Sequence, residues 1–298
     1  MKSRFLIFAL ALTLVALACS FSAPATAPTT QADVKIIVSE TTQALTQLAP
    51  TPSSPAATTP SGIAVSFQNV RFVIPNGLAL GAAGEAIPEV TATSDAPPWD
   101  VAPAHIRFTF NGYNNALAKF SEAHIKIFPT QGYSNSWAGN SVSRLQTILA
   151  SPAAPIDAKE LPGVPYFNAG QLMAAQVGRI NFASGSGVRM VTQYGQAVGQ
   201  VNNNGTFYHF QGLTSDGKFY VIAVVPIGAP FLASDMTPNA QLPDGGVPFP
   251  DNASLDPKDF ENYFNAVAEK MNATDPNAFS PALPTLDALI ASIQILNP

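Results

Sequence analysis

Apolar runs separated by short polar turns begin near residue 62 and predict most of the secondary structure. Eight segments show the alternation or the short continuous apolar run that is typical of β-strands. They are residues 63–67, 70–74, 105–113, 124–128, 177–182, 188–201, 206–212 and 218–227. Four segments have apolar positions at helical spacing: residues 136–149, 168–176, 257–271 and 285–295. Asp256 before Pro257 predicts the start of the third helix, because aspartate caps helices and proline fits the first helical position.

Two glycine-containing pairs predict two consecutive β-hairpins. Asn204-Gly205 and Asp216-Gly217 are both favoured in type I′ turns, which join two strands through two residues. With both turns formed, Tyr208 would pair with Val201 on one side and with Val225 on the other. This register places two sets of side chains on opposite faces. One face would carry Val191, Val201, Tyr208, Phe210, Ala223 and Val225, and the other Tyr194, Gln196, His209, Gln211, Ile222 and Val224.

The last strand of these hairpins, residues 218–227, is apolar on both faces and therefore needs a covering layer on each side. We expect a single-domain α+β fold in which helices cover both faces of a mainly antiparallel sheet, an α/β/α sandwich. By its order of elements, this arrangement resembles the PsbP/Mog1-type sandwiches. Residues 178–227, which include GSGVRMVTQYGQ and FYHFQGLTSDGKFYVIAVVPI, resemble a segment of exported bacterial proteins to which no activity is assigned.

The amino terminus has the three parts of a secretory signal peptide. Lys2 and Arg4 precede an uncharged apolar run over residues 5–17, and small residues follow at Ala16 and Ala18. The apolar run is shorter than the ~20 residues that a transmembrane helix needs. Residues 1–18 are therefore predicted to be a signal peptide that is removed on export.

The sequence Val15-Ala16-Leu17-Ala18-Cys19 resembles the lipobox of bacterial lipoproteins. The resemblance implies that Cys19 is thioether-linked to a diacylglycerol and becomes the first residue of the mature chain. One position departs from the pattern, because the family prefers leucine three residues before the cysteine, where this chain has Ala16. Since Ala16-Leu17-Ala18 also fits the A-x-A site of ordinary signal peptidase, free secretion is the alternative. The predicted location is extracytoplasmic and membrane-anchored, in the periplasm or at the cell surface.

Residues 20–61 are rich in alanine, threonine, serine and proline and predict a disordered tether. Within it, residues 34–49 have partial helical spacing, which indicates either a transient helix or a segment that docks on the body. The predicted organisation is a signal peptide (1–18), a lipidated cysteine with its linker (19–61) and one α+β domain (62–298).

Composition narrows the range of partners. Charged residues make up 11% of the chain, against about 25% in an average protein. The formal net charge is −5, and loss of the two positive charges of Lys2 and Arg4 would make it −7. No broad basic surface for nucleic acid is expected. The acyl group, rather than charge, would hold such a chain at a membrane.

The chain also carries few groups for metal or covalent chemistry. Its single cysteine cannot form an intrachain disulfide, and its three histidines, His105, His124 and His209, lack metal-ligand spacing. The G-x-S-x-G nucleophile motif and the G-x-x-x-x-G-K-[ST] phosphate loop are absent from the sequence. We therefore expect no metal and no cofactor, and we assign no catalytic residue.

A polar set with few charges remains as the candidate ligand site: Arg189, Gln193, Tyr194, Gln196, His209 and Gln211. These residues would form either an internally satisfied network beneath a covering helix or the floor of a pocket for an uncharged small molecule or a partner protein. The sequence favours a non-enzymatic binding or envelope-assembly role. A metal-independent extracytoplasmic hydrolase is the alternative, and a titratable acid or base in the deepest pocket would favour it.

Overall fold

A computed structural model describes residues 61–93, 99–113, 122–133, 139–163, 168–237, 240–250 and 256–296. The strands are β1 (Gly62–Phe67), β2 (Val70–Pro75), β3 (Gly81–Ile87), β4 (His105–Asn111), β5 (His124–Pro129), β6 (Gly170–Phe182), β7 (Gly185–Gly195), β8 (Thr206–Thr214), β9 (Phe219–Pro226) and β10 (Gln294–Ile295). The α-helices are α1 (Thr130–Tyr133), α2 (Gly139–Ala150), α3 (Pro257–Ala273) and α4 (Leu283–Ala291), and short 3-10 helices occupy Ala158–Glu160 and Pro276–Ala278. The predictions for the signal peptide, Cys19 and the tether lie outside the described residues.

The strands form two antiparallel sheets. Seven strands lie in the order β3-β4-β5-β9-β8-β7-β6, and three more lie in the order β1-β2-β10. Every pairing between neighbouring strands is antiparallel. The fold is therefore sheet-rich α+β, and the predicted mainly antiparallel sheet is confirmed.

Alternate residues of the central strands belong to two separate hydrophobic clusters. Val221, Ala223 and Val225 of β9 lie in one cluster, together with buried apolar side chains of α3 and α4. Tyr220, Ile222 and Val224 lie in the other, which also contains Val142 and Leu145 of α2. Since both sets are removed from water, β9 contributes to hydrophobic stabilisation on both of its faces, as its apolar sequence predicted.

The start of α3 follows the capping rule. The side chain of Asp256 accepts a hydrogen bond from the Lys258 amide at 2.9 Å, and Pro257 occupies the first helical turn. Tyr263, Val267 and Met271 then fall on the buried face of the helix. The helix predicted from this signal is confirmed.

The helix predicted over residues 168–176 is wrong, because this segment forms the first half of β6. Its alanine, leucine, methionine and glutamine residues favour helix locally, but pairing with β7 overrides that preference. Two register shifts interrupt this pairing, and Gln176 adopts a positive φ of 52°. These bulges break the period-2 pattern that would have identified the strand.

The predicted first hairpin turn is also wrong. β7 ends at Gly195 and β8 begins at Thr206, so a ten-residue loop, the 196–205 loop, joins them. Tyr208 consequently pairs with Val191 instead of Val201, although it pairs with Val225 as predicted. Asn204-Gly205 lies at the end of a longer connection that is held by side-chain hydrogen bonds.

The second turn is tight, but it is of another type. The Gly217 amide donates to the Thr214 carbonyl at 2.8 Å, and Gly217 has a φ of +71°. Asp216 is not among the described non-glycine residues with positive φ. A type I turn followed by a left-handed glycine fits this geometry, whereas a type I′ turn needs positive φ at both central residues.

Replacing Gly217 by valine should lower the free energy of unfolding by about 1–3 kcal/mol, because a β-branched residue is strained at positive φ. No heavy atom lies within 4 Å of an added Cβ, so the cost is conformational rather than steric. Urea unfolding of the variant and the native chain measures this loss in the free energy of unfolding. Gly217→Asn is the matched control and should cost less, because asparagine tolerates this conformation. Equal stability of the valine variant and the native chain would contradict the turn assignment.

Candidate functional site

A cleft of about 700 Å³ lies at the end of β7 and is the candidate site. The last residues of β7 and the 196–205 loop line one part of it, and residues at the start of β6 line another. Trp99 and Asp100 contribute from the segment before β4, and Met236 from the segment after β9. The volume falls within the ~300–1,000 Å³ of typical small-ligand sites.

Carboxamides and aromatic rings dominate the polar chemistry of this cleft. The amide side chains that line it belong to Asn168, Gln193, Gln196, Asn202 and Asn204. Trp99 and Tyr194 provide the aromatic rings, and Asp100 is the one carboxylate among the described lining residues. The described lining contains no lysine, arginine or histidine. Such a surface offers both donors and acceptors but no positive charge to bind an anion.

Gln193 shapes the cleft by holding the 196–205 loop against β7. Its side-chain oxygen accepts from the Asn202 amide at 2.9 Å, and its Nε2 donates to the Gln200 carbonyl at 3.2 Å. Gln193 is buried, whereas Gln196 and Asn168 are exposed. Gln193 therefore supports the loop, and the amides of Gln196 and Asn168 face solvent, where a ligand can reach them.

Asn203 ties the same loop to the chain that follows β9. Its Nδ2 donates to the carbonyls of Ala229 at 3.2 Å and Leu232 at 3.1 Å. Its Oδ1 accepts from the Ala229 amide at 2.8 Å, and its own amide donates to the Ala233 carbonyl. The side chain is buried, so these bonds are shielded from water. They fix the backbone from which the cleft is built.

Two exposed apolar side chains, Val198 and Met236, also line the cleft and form its apolar patch. Val198 is 55% exposed and Met236 is 65% exposed, which makes them two of the most exposed large apolar side chains described. The two residues come from separate segments that meet here, since a Cβ added at Gly199 would lie 3.2 Å from the Met236 sulfur. Exposed apolar groups beside polar side chains are typical of binding surfaces.

Three of the six residues predicted as a ligand site lie at this cleft, namely Gln193, Tyr194 and Gln196. Arg189 lies elsewhere, with its Nε 3.3 Å from a carboxylate oxygen of Asp287 in α4. The same carboxylate oxygen accepts a hydrogen bond from the Tyr208 hydroxyl at 2.9 Å, and Arg189 also donates to the Gln176 carbonyl. Arg189 thus links β7 to α4 and β6.

His209 and Gln211 are buried within the sheet and do not line the cleft. Nδ1 of His209 lies 3.0 Å from the Ala223 carbonyl, and burial lowers the pKa of His209 to about 3. Its Nε2 is buried without a partner. Gln211 donates to the Pro162 carbonyl at 3.0 Å and accepts from the Tyr220 hydroxyl. The six residues therefore do not form one site, and Gln211 fits the internally satisfied alternative.

Sequence reasoning missed Trp99, Asp100, Asn168 and Met236, which come from three distant segments. No local motif marks them as neighbours. For the 196–205 loop, the run Asn202-Asn203-Asn204 was the available signal, because three consecutive amides exceed what a turn needs. Only Asn204 of this run, with Gly205, was predicted to form part of a hairpin turn.

Two further properties bear on the chemistry of the described part of the chain. It contains no group of three or more histidine, cysteine, aspartate or glutamate side chains placed to hold a metal ion. None of its helices combines the length and the apolar character needed to cross a membrane.

Comparison with protein families, characterised proteins and solved structures finds no match to this chain. The resemblances to lipoproteins and to PsbP/Mog1-type sandwiches therefore stay predictions.

Proposed function

We propose that the protein is a lipid-anchored extracytoplasmic binding protein that holds an uncharged polar ligand in the cleft beside the 196–205 loop. One observation carries the proposal: amides, of which Asn168 and Gln196 are exposed, and two aromatic rings line the described cleft without a single cation. Carboxamides satisfy neutral donors and acceptors equally well, whereas an anionic ligand would lack a counter-charge. The hydrogen bonds of Gln193 and Asn203 hold the site in a preformed shape, which reduces the entropic cost of binding.

A binding role fits the described lining better than catalysis does. General acid–base chemistry usually needs two titratable groups with suitable pKa values within reach of the substrate. The described lining supplies two titratable side chains, Asp100 and Tyr194. Asp100 is exposed, whereas Tyr194 is buried with its ring centroid 6.0 Å from that of Phe207. A metal-independent hydrolase is the alternative. Turnover of chromogenic ester, amide or glycoside substrates that is abolished by Asp100→Asn would support it.

The proposed architecture around the site has three layers, with helices on both faces of the seven-stranded sheet. Two facts support it. Apolar residues of α3 and α4 join the cluster that contains Val191 and Tyr208. Val142 and Leu145 of α2 join the cluster that contains Met190 and Phe207. Such layers would hold the strands rigid, and with them the end of β7, from which the cleft opens.

The charge preference of the cleft provides the test of the binding role. Fragments of matched size that are neutral, anionic or cationic are titrated into the full chain, and the fluorescence of Trp99 is followed. Because the chain has two tryptophans, Trp137→Phe isolates the Trp99 signal. Saturable binding of neutral fragments, weakened at least tenfold by Gln196→Glu, is the expected result. Binding of anions alone, or of no fragment class, would refute the proposal.

The anchor forms the second part of the proposal, and Cys19→Ser tests it. The thioether requires a thiol, so the variant should lose incorporation of labelled fatty acid. It should then appear in the soluble fraction or remain unprocessed. Membrane fractionation and acyl labelling measure both results, and Ser20→Ala is the matched control that should leave both unchanged. Fatty-acid labelling of the Cys19 variant at the native level would contradict the anchor.

A further inference from the structure

We infer that the ligand of the cleft is a short extended segment of uncharged polypeptide. Its backbone contacts the exposed amides of Gln196 and Asn168, and one of its apolar side chains contacts Val198 and Met236. The inference rests on the proposed binding function and specifies the class of ligand. Its three supports are the chemistry of the exposed amides, the apolar patch of Val198 and Met236, and the position of the cleft at the end strand β6.

The first support is the match between a carboxamide side chain and a peptide group. A carboxamide carries a carbonyl acceptor and N–H donors in one plane. In an extended peptide the N–H and C=O of one residue point to the same side, so the side chain can accept from that N–H and donate to that C=O. Gln196 and Asn168 are exposed at the cleft and come from two different segments of the chain. An extended peptide presents such groups at regular intervals along its length.

The second support is the apolar patch formed by Val198 and Met236. Both side chains are more than half exposed, and covering them would remove apolar surface from water. A peptide can supply an apolar side chain for this contact, whereas a neutral sugar presents mostly hydroxyl groups. Methionine and aromatic residues are also enriched at protein interfaces, and the unbranched methionine adapts to different partners.

The third support is the position of the cleft. Ala169, directly before β6, and Leu172, near the start of that strand, line the cleft. β6 is an end strand of the seven-stranded sheet. Extended peptides commonly bind beside such a strand, where backbone hydrogen bonds supply affinity and side-chain pockets supply specificity. Asp100 is the one charge among the described lining residues, so peptides with acidic side chains should be disfavoured.

The test uses an array of N-acetylated, C-amidated five-residue peptides without charged side chains, each with one central leucine, methionine or valine. Neutral oligosaccharides of similar length and peptides with a central glutamate are the comparison probes. Binding to the full chain carrying Trp137→Phe is followed by the fluorescence of Trp99. Some uncharged peptides should bind saturably, and Gln196→Ala and Met236→Ser should each weaken that binding at least tenfold. Leu80→Ser is the matched control, since Leu80 is 82% exposed and does not line the cleft.

The outcomes separate the inference from the proposed function. Saturable binding of oligosaccharides but not of peptides would overturn the peptide inference and leave the binding function standing. Peptide binding that is insensitive to both cleft variants would also overturn the inference, because the peptide would then bind elsewhere. If neither peptides, oligosaccharides nor neutral fragments bind, the inference and the proposed function both fail.

Discussion

Asn203→Asp is expected to lower the free energy of unfolding by about 3–5 kcal/mol, which is a large fraction of the stability of an ordinary domain. The native Nδ2 donates to the carbonyls of Ala229 and Leu232, while Oδ1 accepts from the Ala229 amide. Aspartate would place an oxygen against those two carbonyls in a buried site. Whether ionised or protonated, it cannot supply both lost donors, and unpaired buried polar groups are costly.

The control for this variant is the same substitution where only the oxygen is used. Oδ1 of Asn272 accepts from the Gln176 amide at 2.6 Å, and Asn272 is exposed at the end of α3. Asn272→Asp keeps the acceptor, so it should cost less than about 1 kcal/mol, mainly through the unfavourable helix dipole. Chemical denaturation measures the free energy of unfolding of both variants and of the native chain. Similar losses for the two variants would show that the donors of Asn203 do not hold the loop.

The central strands could be predicted from the sequence because burial on both faces leaves a clear signal. The apolar run that became β9 and the alternating residues of β5 and β8 needed no knowledge of the tertiary structure. Asp256-Pro257 similarly marked the start of α3, because capping depends on adjacent residues. These are cases in which local preference and the fold agree.

The sequence could not identify elements whose conformation depends on distant partners. β3 has the sequence GAAGEAI, which contains one β-branched residue, and it is a strand because it pairs with β4. β6 contains helix-favouring residues and two bulges, and it is held by β7. The 196–205 loop depends on the contacts of Asn203 with residues 229–233, about thirty positions away in the chain. Tertiary pairing decided each of these cases.

The same difference explains the candidate site. Gln193, Tyr194 and Gln196 share one short segment, so their polar character was visible as a group, and the structure brings them together at the cleft. His209 and Gln211 belong to the neighbouring strand β8, and their polarity suggested the same site. Hydrogen bonds to Ala223, Pro162 and Tyr220 account for them instead. Sequence polarity identified residues bonded within the sheet and residues that line the cleft alike, and only their tertiary contacts distinguish them.

The stability of the protein should fall as the pH falls from 6.5 towards 4, because its histidines are held neutral. Burial lowers the pKa of His209 to about 3, and it lowers those of His105 and His124 to about 4. In the unfolded chain each of these groups titrates near 6.5. Between these pH values the unfolded state binds more protons than the folded state, so the free energy of unfolding decreases with each step down in pH. Above pH 7 the histidines are neutral in both states and contribute no slope.

His209→Leu isolates the contribution of the fully buried histidine. Near pH 5 unfolding takes up about one proton at His209, which corresponds to a slope of about 1.4 kcal/mol per pH unit. Urea unfolding should therefore show a shallower pH dependence in the variant, by about 1.4 kcal/mol per pH unit near pH 5 and by about half of that near pH 6.5. The same comparison between pH 7 and 8 is the internal control, where the two curves should run parallel whatever the variant does to overall stability. Parallel curves in the acidic range as well would mean that His209 takes up its proton in the folded protein, which would require water or a partner at the Nε2 atom that is now buried alone.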